Sequence, residues 1–539
     1  MIAIRTHAST STGIGHLVRC YRLATVLKNH NLESHFIIDE ENPFIEDFLK
    51  PFNYSYLYQG DESFRDQESD AQLFIAALND VSIDGVVVDD YRLSMKWDKN
   101  VEQIGCPLIV LDDRDLVAHQ CSMIVDAKWT GATTSKRYKD KVSENCLRLL
   151  GPEYVILDKS YMQPNETSKH RMSGNTINIM VSFGGGGDMN ILKKLIEKLL
   201  QLAPNDINLL VRSVVGPFAI NKKMILSFAE KDRRVQSIFN KRSLHNYLKT
   251  TTLYIGTAGG TLYEVLSMNI PALTFALSEN QYNQLNYLED LGHYFHLNDF
   301  SKESFDKLAE LAWSMILNIN RIKHLYALPN RIEIDGLGSE RVARVIFSLV
   351  KGDQSSLGSI HLSQEPTTKK TVKSENRGYI VEPIDDRHVN RYLDTRNLDL
   401  NLQNMTEIEK VVRLDHFLWW LKTERNSYLL KKNDQPLLYI WHQPRTINRE
   451  TVLIGGWFVC SESCNVVDVV YALNWQLKVT DKELPGLPWV AVIKKSNRFV
   501  LSLNKRFGFG IMDEIHPLFK VASECFSSAN IKTFNYLFR

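Results

Sequence analysis

The sequence predicts an α/β fold: two similar parallel-sheet units that face one another, followed by a separate and smaller mixed α/β domain. Three observations predict it. Short apolar strands alternate with helices over residues 1–350. The C-terminal ends of those strands carry glycine or aspartate, and that edge of a parallel sheet is where a ligand crevice forms. Finally, Lys351 to Asn376 has no aromatic residue and is dominated by small polar ones, which marks a semi-flexible or disordered linker. At 539 residues the chain is too long for one core. It divides into 1–165, 166–350, the linker 351–376, and 377–539.

Each element follows from local pattern. Ile2 to Arg5 reads as a strand and Ser9 to Gly15 as a Ser/Thr/Gly loop. His16 to Lys28 reads as a helix, with Leu17, Cys20, Leu23, Ala24 and Leu27 at helical spacing. Phe36-Ile37-Ile38 is a second strand. Gly85 to Val88 is a third, ending in Asp89-Asp90-Tyr91, and Leu108 to Leu111 a fourth, ending in Asp112-Asp113. The same grammar restarts at Ile177 to Phe183, a strand running into Gly184-Gly185-Gly186-Gly187-Asp188. A helix over Ile191–Leu202 and a strand over Ile207–Val211 follow. Leu253 to Gly256 is a later strand, then Thr257-Ala258-Gly259-Gly260-Thr261, a helix to Met268, and a strand over Pro271–Thr274. Two such units facing each other leave one deep cleft. Behind the linker, helices are expected near 388–397 and 407–430, and strands at Pro436–His442 and Val452–Val459. A helix over Val467–Lys478, a strand over Trp489–Lys494 and a helix over Val500–Phe507 complete the pattern.

Composition narrows the function classes. Apolar residues make up 44% and charged ones 24%, enough to bury large cores. Sixty-four basic residues face sixty-three acidic ones, so net charge gives no reason to expect a nucleic-acid partner. The first residues lack the apolar stretch of a secretion signal, and no later run is long enough to span a bilayer. Of the seven cysteines, only Cys460 and Cys464 are close, with no second pair and no histidine at ligand spacing. Reduced thiols in a cytoplasmic protein, and no bound metal, are the expectation.

The candidate chemistry begins at Gly13-Ile14-Gly15-His16, where a strand turns into a helix. Glycine lets a ligand approach the backbone, and free amides at a helix start can hold a phosphate. His16 would point from that helix start into the cleft, where neutral imidazole can take a proton from water. A structural histidine remains the competing reading.

Residues 5–24, RTHAS…GIGHLVRCYRLA, resemble the opening of the pseudaminic-acid pathway hydrolases, which remove UDP from UDP-2,4-diacetamido-2,4,6-trideoxy-altrose. They also resemble spore-coat polysaccharide proteins and, more distantly, two-lobed glycosyltransferases acting on UDP-N-acetylglucosamine. Further segments match in order: Val86–Tyr91, Leu111-Asp112-Asp113, Leu150–Tyr154, Val181–Asp188, Ala258–Thr261 with Glu264, and Asn280-Gln281. The resemblance covers about residues 1–345 and implies two facing Rossmann-like lobes of GT-B type. It implies His16 as general base, and a UDP-sugar contacted by Arg5, Gly13, Gly15, Asp89, Tyr91, Gly185, Gly259, Gly260, Thr261, Glu264, Asn280 and Gln281. Glu264 would accept from the ribose hydroxyls, or be a plain helix glutamate; Asn280 and Gln281 would meet the sugar, or only polar surface. Asp113 is a further candidate contact, although strand-end aspartates also cap loops. Two departures stand out. The family's arginine–x–aspartate is Arg5-Thr6-His7 here, so a carboxylate that could hold His16 is missing; and Asp158 stands near an expected arginine.

In the last domain, Val492–Asn497 and Leu503-Asn504-Lys505-Arg506-Phe507-Gly508-Phe509 resemble the late strand and helix of GNAT N-acyltransferases. Arg396-Asn397, His416–Trp420 and Ile454-Gly455-Gly456 resemble the amino-sugar branch of that family. The resemblance implies acetyl-CoA as cosubstrate, Asn497 and Asn504 on its side of the site, and His416 at the acceptor or in proton transfer. Core packing explains His416 equally well. The glycine-rich pyrophosphate loop is missing: Asn474 to Pro488, taken as the corresponding region, has only Gly486. Together the resemblances imply acetylation of a 4-amino UDP-sugar followed by hydrolysis. The alternatives are glycosyl transfer from a UDP-sugar, or nucleotide-sugar binding without turnover.

Overall fold

The computed structural model describes residues 1–9, 13–39, 41–58, 63–79, 81–162, 176–239, 241–300, 305–328, 331–352 and 378–539. Two compact units form, residues 1–367 and 368–539. The linker expected over 351–376 lies outside the described residues except for Lys351 and Gly352, and the boundary expected at 165/166 lies outside them too.

The first unit has two lobes. In the first, β1 (Ile2–Thr6), β2 (Ser34–Ile38), β3 (Asn53–Tyr56), β4 (Gly85–Asp89), β5 (Leu108–Leu111), β6 (Met123–Asp126) and β7 (Leu147–Leu150) form one sheet in the order β3-β2-β1-β4-β5-β6-β7. All pairs are parallel. β1 and β4 are buried along their whole length because helices cover both faces. Ile2 and Ile4 pack with Leu17, Leu23 and Leu27 of the helix Gly15–Asn29 on one face. Ala3, Val86 and Val88 pack with Phe74 and Trp97 on the other.

The second lobe repeats the plan with β8 (Thr176–Ser182), β9 (Asn208–Val215), β10 (Val235–Phe239), β11 (Leu253–Thr257), β12 (Ala272–Phe275) and β13 (His296–Leu297). Their order is β10-β9-β8-β11-β12-β13, again parallel throughout. In both sheets the winding reverses beside the first strand, between β1 and β4 and between β8 and β11. A crevice opens at such a point, outside the carboxyl ends of the strands.

The expected second-lobe span of 166–350 needs correction. The helix Gly338–Lys351 crosses back onto the first lobe, where Val342, Ala343, Val345 and Ile346 join the core of Ile2, Leu17 and Leu27. His30 Nε2 meets Glu340 at 3.1 Å, and Ser339 Oγ donates to the Leu157 carbonyl at 2.6 Å.

In the second unit β14 (Tyr379–Pro383), β15 (Asn426–Lys432), β16 (Gln435–Ile447) and β17 (Glu450–Val459) form an antiparallel meander. β18 (Val490–Lys494), β19 (Gly510–Met512) and β20 (Phe534–Phe538) form a second antiparallel sheet, ordered β18-β20-β19. Among the described residues the sheets meet at one bridge, Leu453 with Trp489, where the Leu453 amide donates to the Pro488 carbonyl at 2.8 Å. Toward Val459 and Lys494 the strands part and a cleft opens between them. The helix expected over 407–430 is shorter, Arg413–Lys422, because Asn426–Lys432 is extended and pairs with β14 and β16 as β15. No helix among the described residues is long and apolar enough to cross a membrane.

Candidate functional site

Between the two lobes of the first unit lies a cleft of about 1290 Å³. Two helix starts border it. The helix Gly15–Asn29 begins after Ile14 and the helix Gly260–Ser267 after Gly259; neither start has a side-chain cap or an acidic residue in its first turn. Their first amides and the positive ends of both helix dipoles are therefore left for an anion. Thr261 and Glu264 sit in the second helix and line the cleft with Gly259 and Gly260.

The glycine loops meet across the cleft. Gly13 has φ +71°, a conformation that disfavours a side chain. A Cβ on Gly185 would come within 2.7 Å of both the Ile14 amide nitrogen and its Cγ1. Only a residue without Cβ lets Ile14 and Gly185 approach this closely.

His16 is the second residue of its helix and is buried, yet it lines the cleft. Its Nδ1 lies 2.5 Å from Asp89 Oδ1, at the end of β4. Arg19 Nε and Nη2 donate to Asp89 at 2.7 and 2.6 Å. Burial alone would raise the Asp89 pKa; Arg19 and His16 outweigh it and hold the carboxyl well below the usual carboxylate range. An ionised Asp89 accepts from Nδ1–H, which fixes the tautomer and leaves Nε2 with its lone pair. Tyr91 packs edge-on to the imidazole, ring centres 4.4 Å apart, and its hydroxyl donates to Asp113.

The remaining expected residues divide. Gly13, Gly15, Tyr91, Gly185, Asn280 and Gln281 line the cleft. Asp89 does not; it is fully buried and acts on His16, so its assignment as a substrate contact is corrected to that of a positioning residue. Arg5 is corrected likewise. It is fully buried, with Nη2 2.7 Å from Asp70 and 2.7 Å from Asp39, so its guanidinium faces the lobe interior. Nor does His7 leave His16 without a holder: His7 Nδ1 sits 2.8 Å from Asp39, while Asp89 serves His16. His7, Asp39 and Asp90 have ligand atoms within 4.8 Å of one another, but both carboxylates are already paired with Arg5 and Arg92, so the donor set is spent.

Glu264 is nearly buried and accepts from Arg22 Nη2 and from the Tyr161 hydroxyl, each at 2.6 Å. The Asn280 carbonyl accepts from Lys128 Nζ at 3.0 Å, and Gln281 Oε1 from the Leu277 amide at 2.9 Å. Arg19 and Arg22 escaped the sequence reading. They follow His16 by three and six positions, a polar stripe on an otherwise apolar helix, and that stripe was the available signal.

The second unit holds a cleft of about 1140 Å³ between β17 and β18. Asn497 and Asn504 line it, but their side chains are engaged: Asn497 caps Val500 N and donates to Asn404 Oδ1, and Asn504 donates to the Val500 carbonyl. His416 is corrected to a core residue. It lies outside the cleft lining, Nε2 is 2.8 Å from the Val389 carbonyl, and its ring packs on Trp419 and Trp420. Burial lowers its pKa to about 4.

Asn474 to Pro488 is not a phosphate loop either, being mostly the helix Val466–Glu483. The turn entering that helix is Cys460–Asn465, without glycine. Asn465 Oδ1 accepts from the Val467 and Asp468 amides, and Asp468 reaches back to the Asn465 amide. Although burial favours its neutral form, bonds from Tyr379 and Asn465 and the charge of Lys432 hold the Asp468 pKa below its usual value. A helix start capped by its own side chains, with a carboxylate in its first turn, does not fit the diphosphate of acetyl-CoA.

The two front lobes thus define a two-lobed α/β protein with one inter-lobe cleft, a histidine–aspartate pair and two open helix starts. No family model matches the chain. An uncharacterised protein of Methanocaldococcus jannaschii is 25% identical over 286 residues, covering 52% of this chain and 56% of its own. The match therefore spans about half the length of that relative. The spore coat polysaccharide biosynthesis protein SpsG of Bacillus subtilis is 21% identical over 352 residues, covering 62% of this chain and 95% of its own. Among solved structures, Acinetobacter baumannii MurG aligns with a TM-score of 0.44 at 12% identity, covering 64% of this chain and 99% of its own.

Proposed function

We propose that the first unit hydrolyses a nucleotide-activated amino sugar, of the class of UDP-2,4-diacetamido-2,4,6-trideoxy-altrose, to free sugar and UDP. The observation that carries this reading is His16: a cleft-lining imidazole whose Nδ1 is fixed on Asp89, between two open helix starts. Water attacks the anomeric carbon and gives a proton to His16 Nε2. The bond from that carbon to the diphosphate oxygen breaks, and its electron pair leaves with UDP. The amides at Gly260 and Thr261 receive the developing charge. General-base help of this kind is worth about 10²- to 10⁴-fold in rate. The ordered resemblance over residues 1–345 and the likeness to a polysaccharide biosynthesis protein support the substrate class.

Glycosyl transfer is the second reading, and one observation favours it. Leu116, Leu277, Tyr282 and Leu285 are exposed large apolar residues that line the same cleft, a rim that suits an acceptor better than water. The second unit's closed helix start does not fit the acetyl-CoA of the N-acetylation implied by resemblance.

The deciding experiment follows UDP release from the diacetamido UDP-sugar by NMR in ¹⁸O-water. Free sugar carrying the label, lost in His16→Ala, supports hydrolysis with carbon–oxygen cleavage. Label in UDP, or release that needs an added acceptor, sinks that mechanism.

A further inference from the structure

We infer that Cys121 and Cys146 are a modification site: a peroxide joins them in a reversible disulfide, which braces the sheet edge beneath one wall of the front cleft. Twenty-five positions separate the two cysteines in the chain. The parallel pairing of β6 and β7 brings them together, because Met123 lies beside Leu147 and the residues leading into both strands become neighbours. The sulfurs lie 3.5 Å apart. A disulfide needs about 2.05 Å, which leaves about 1.5 Å for side-chain rotation to close. Both side chains belong to the buried apolar cluster of Ile124, Tyr138 and Leu150, and this packing keeps the sulfurs side by side. Cys121 is 8% exposed and Cys146 7%, an opening that favours a small oxidant over a bulky one. Cys106 packs against the same cluster and is the rival partner.

The two thiols are not equivalent. The hydrogen bond between the sulfurs holds Cys146 below the usual thiol range and, with burial, Cys121 above it; the charge of Arg148 also favours the Cys146 thiolate. Cys146 is therefore the thiol that attacks. Its sulfur takes one peroxide oxygen, the O–O bond breaks, and hydroxide leaves and is protonated to water. The Cys121 sulfur then attacks the sulfenic acid on Cys146. The S–O bond breaks, the S–S bond forms, and a second water leaves with the Cys121 proton. Two thiols are oxidised by two electrons and one peroxide is reduced. The closed loop carries Lys128, Trp129 and Arg137 of the front cleft. Lys128 and Trp129 reach the Asn280 carbonyl and Asp290 of the second lobe at 3.0 and 2.8 Å. Cross-linking its ends restricts mainly the unfolded chain, so the folded first unit gains stability. None of this depends on the reaction proposed for the front cleft.

The test treats the full chain with a few equivalents of hydrogen peroxide, blocks remaining thiols in denaturant and maps tryptic peptides by mass spectrometry. Two of the seven thiols are expected to be lost, with the peptides Asp115–Lys128 and Val142–Arg148 joined and then separated by dithiothreitol. Melting is expected to rise by about 5 °C on oxidation and to fall back on reduction. In Cys121→Ala the reaction is expected to stop at a Cys146 sulfenic acid that dimedone traps; no adduct there overturns Cys146 as the attacking thiol. Seven surviving thiols, or Cys106 joined to either partner, would overturn the inference. A disulfide that leaves melting unchanged would overturn the bracing.

Discussion

At the residue scale, the proposed reaction in the front cleft depends on a carboxylate that does not line it. Asp89 is buried beneath His16, and its two oxygens are shared between the imidazole and Arg19. Asp89→Asn keeps the shape but no longer fixes the Nδ1–H tautomer. Turnover is expected to fall by about 10³- to 10⁴-fold with little change in KM. A variant that loses affinity instead would make Asp89 a substrate contact after all. Arg5 gives the opposite kind of prediction. Arg5→Met strips the cationic partner from Asp70, which is wholly buried and keeps only the neutral donors Tyr58 and Trp97. The expected cost is about 3–5 kcal/mol in urea unfolding, because an uncompensated charge stays inside. Wild-type stability with a raised KM would return Arg5 to the cleft.

At the element scale, the glycine loops join the lobes. Gly185→Ala would drive a methyl into the Ile14 backbone, where no flexible side chain can yield. About 1–3 kcal/mol of destabilisation is expected, together with slower turnover, since His16 sits two residues beyond Ile14. Thermal melting and the UDP-release assay check the two effects. These loops were legible in the sequence because an apolar run ending in glycines is a local signal; Val181 to Gly187 shows its strand and its turn in one reading. Other parts were not legible. β15 and β16 are joined through Asn433 and Asp434, and β16 and β17 through Asn448 and Arg449, all four at positive φ without a glycine to announce the turns. Half-exposed strands such as β3 and β10 lack an apolar run. The partnerships of His16 with Asp89 and of Glu264 with Arg22 and Tyr161 join residues far apart in the chain, and only the fold brings them together.

At the scale of the whole molecule, the two units carry separate cores and separate titrations. His416 in the second unit and His293 in the first are buried and have pKa values lowered by burial to about 4 and about 3. The unfolded chain binds a proton at each near pH 6.5, which the folded chain refuses. Stability is therefore full above that pH and falls as the pH drops toward the folded values, by about 3 kcal/mol for His416 alone. Melting curves from pH 7 to 4 are expected to show this decline, and His416→Leu to flatten it in the second unit only. An unchanged pH profile would mean that His416 takes up its proton in the folded state.

The helix Gly338–Lys351 has a consequence for synthesis. Its residues Val342, Ala343, Val345 and Ile346 complete the core begun by Ile2 and Leu17. As the nascent chain leaves the ribosome, the front of the protein is made first but lacks this last part of its core until the end of the second lobe has been translated. Among the described residues, the sheet of the later lobe is built from its own strands, β8 to β13. What is made first is thus finished last, and during that interval the unfinished core is the part of the molecule most in need of a chaperone.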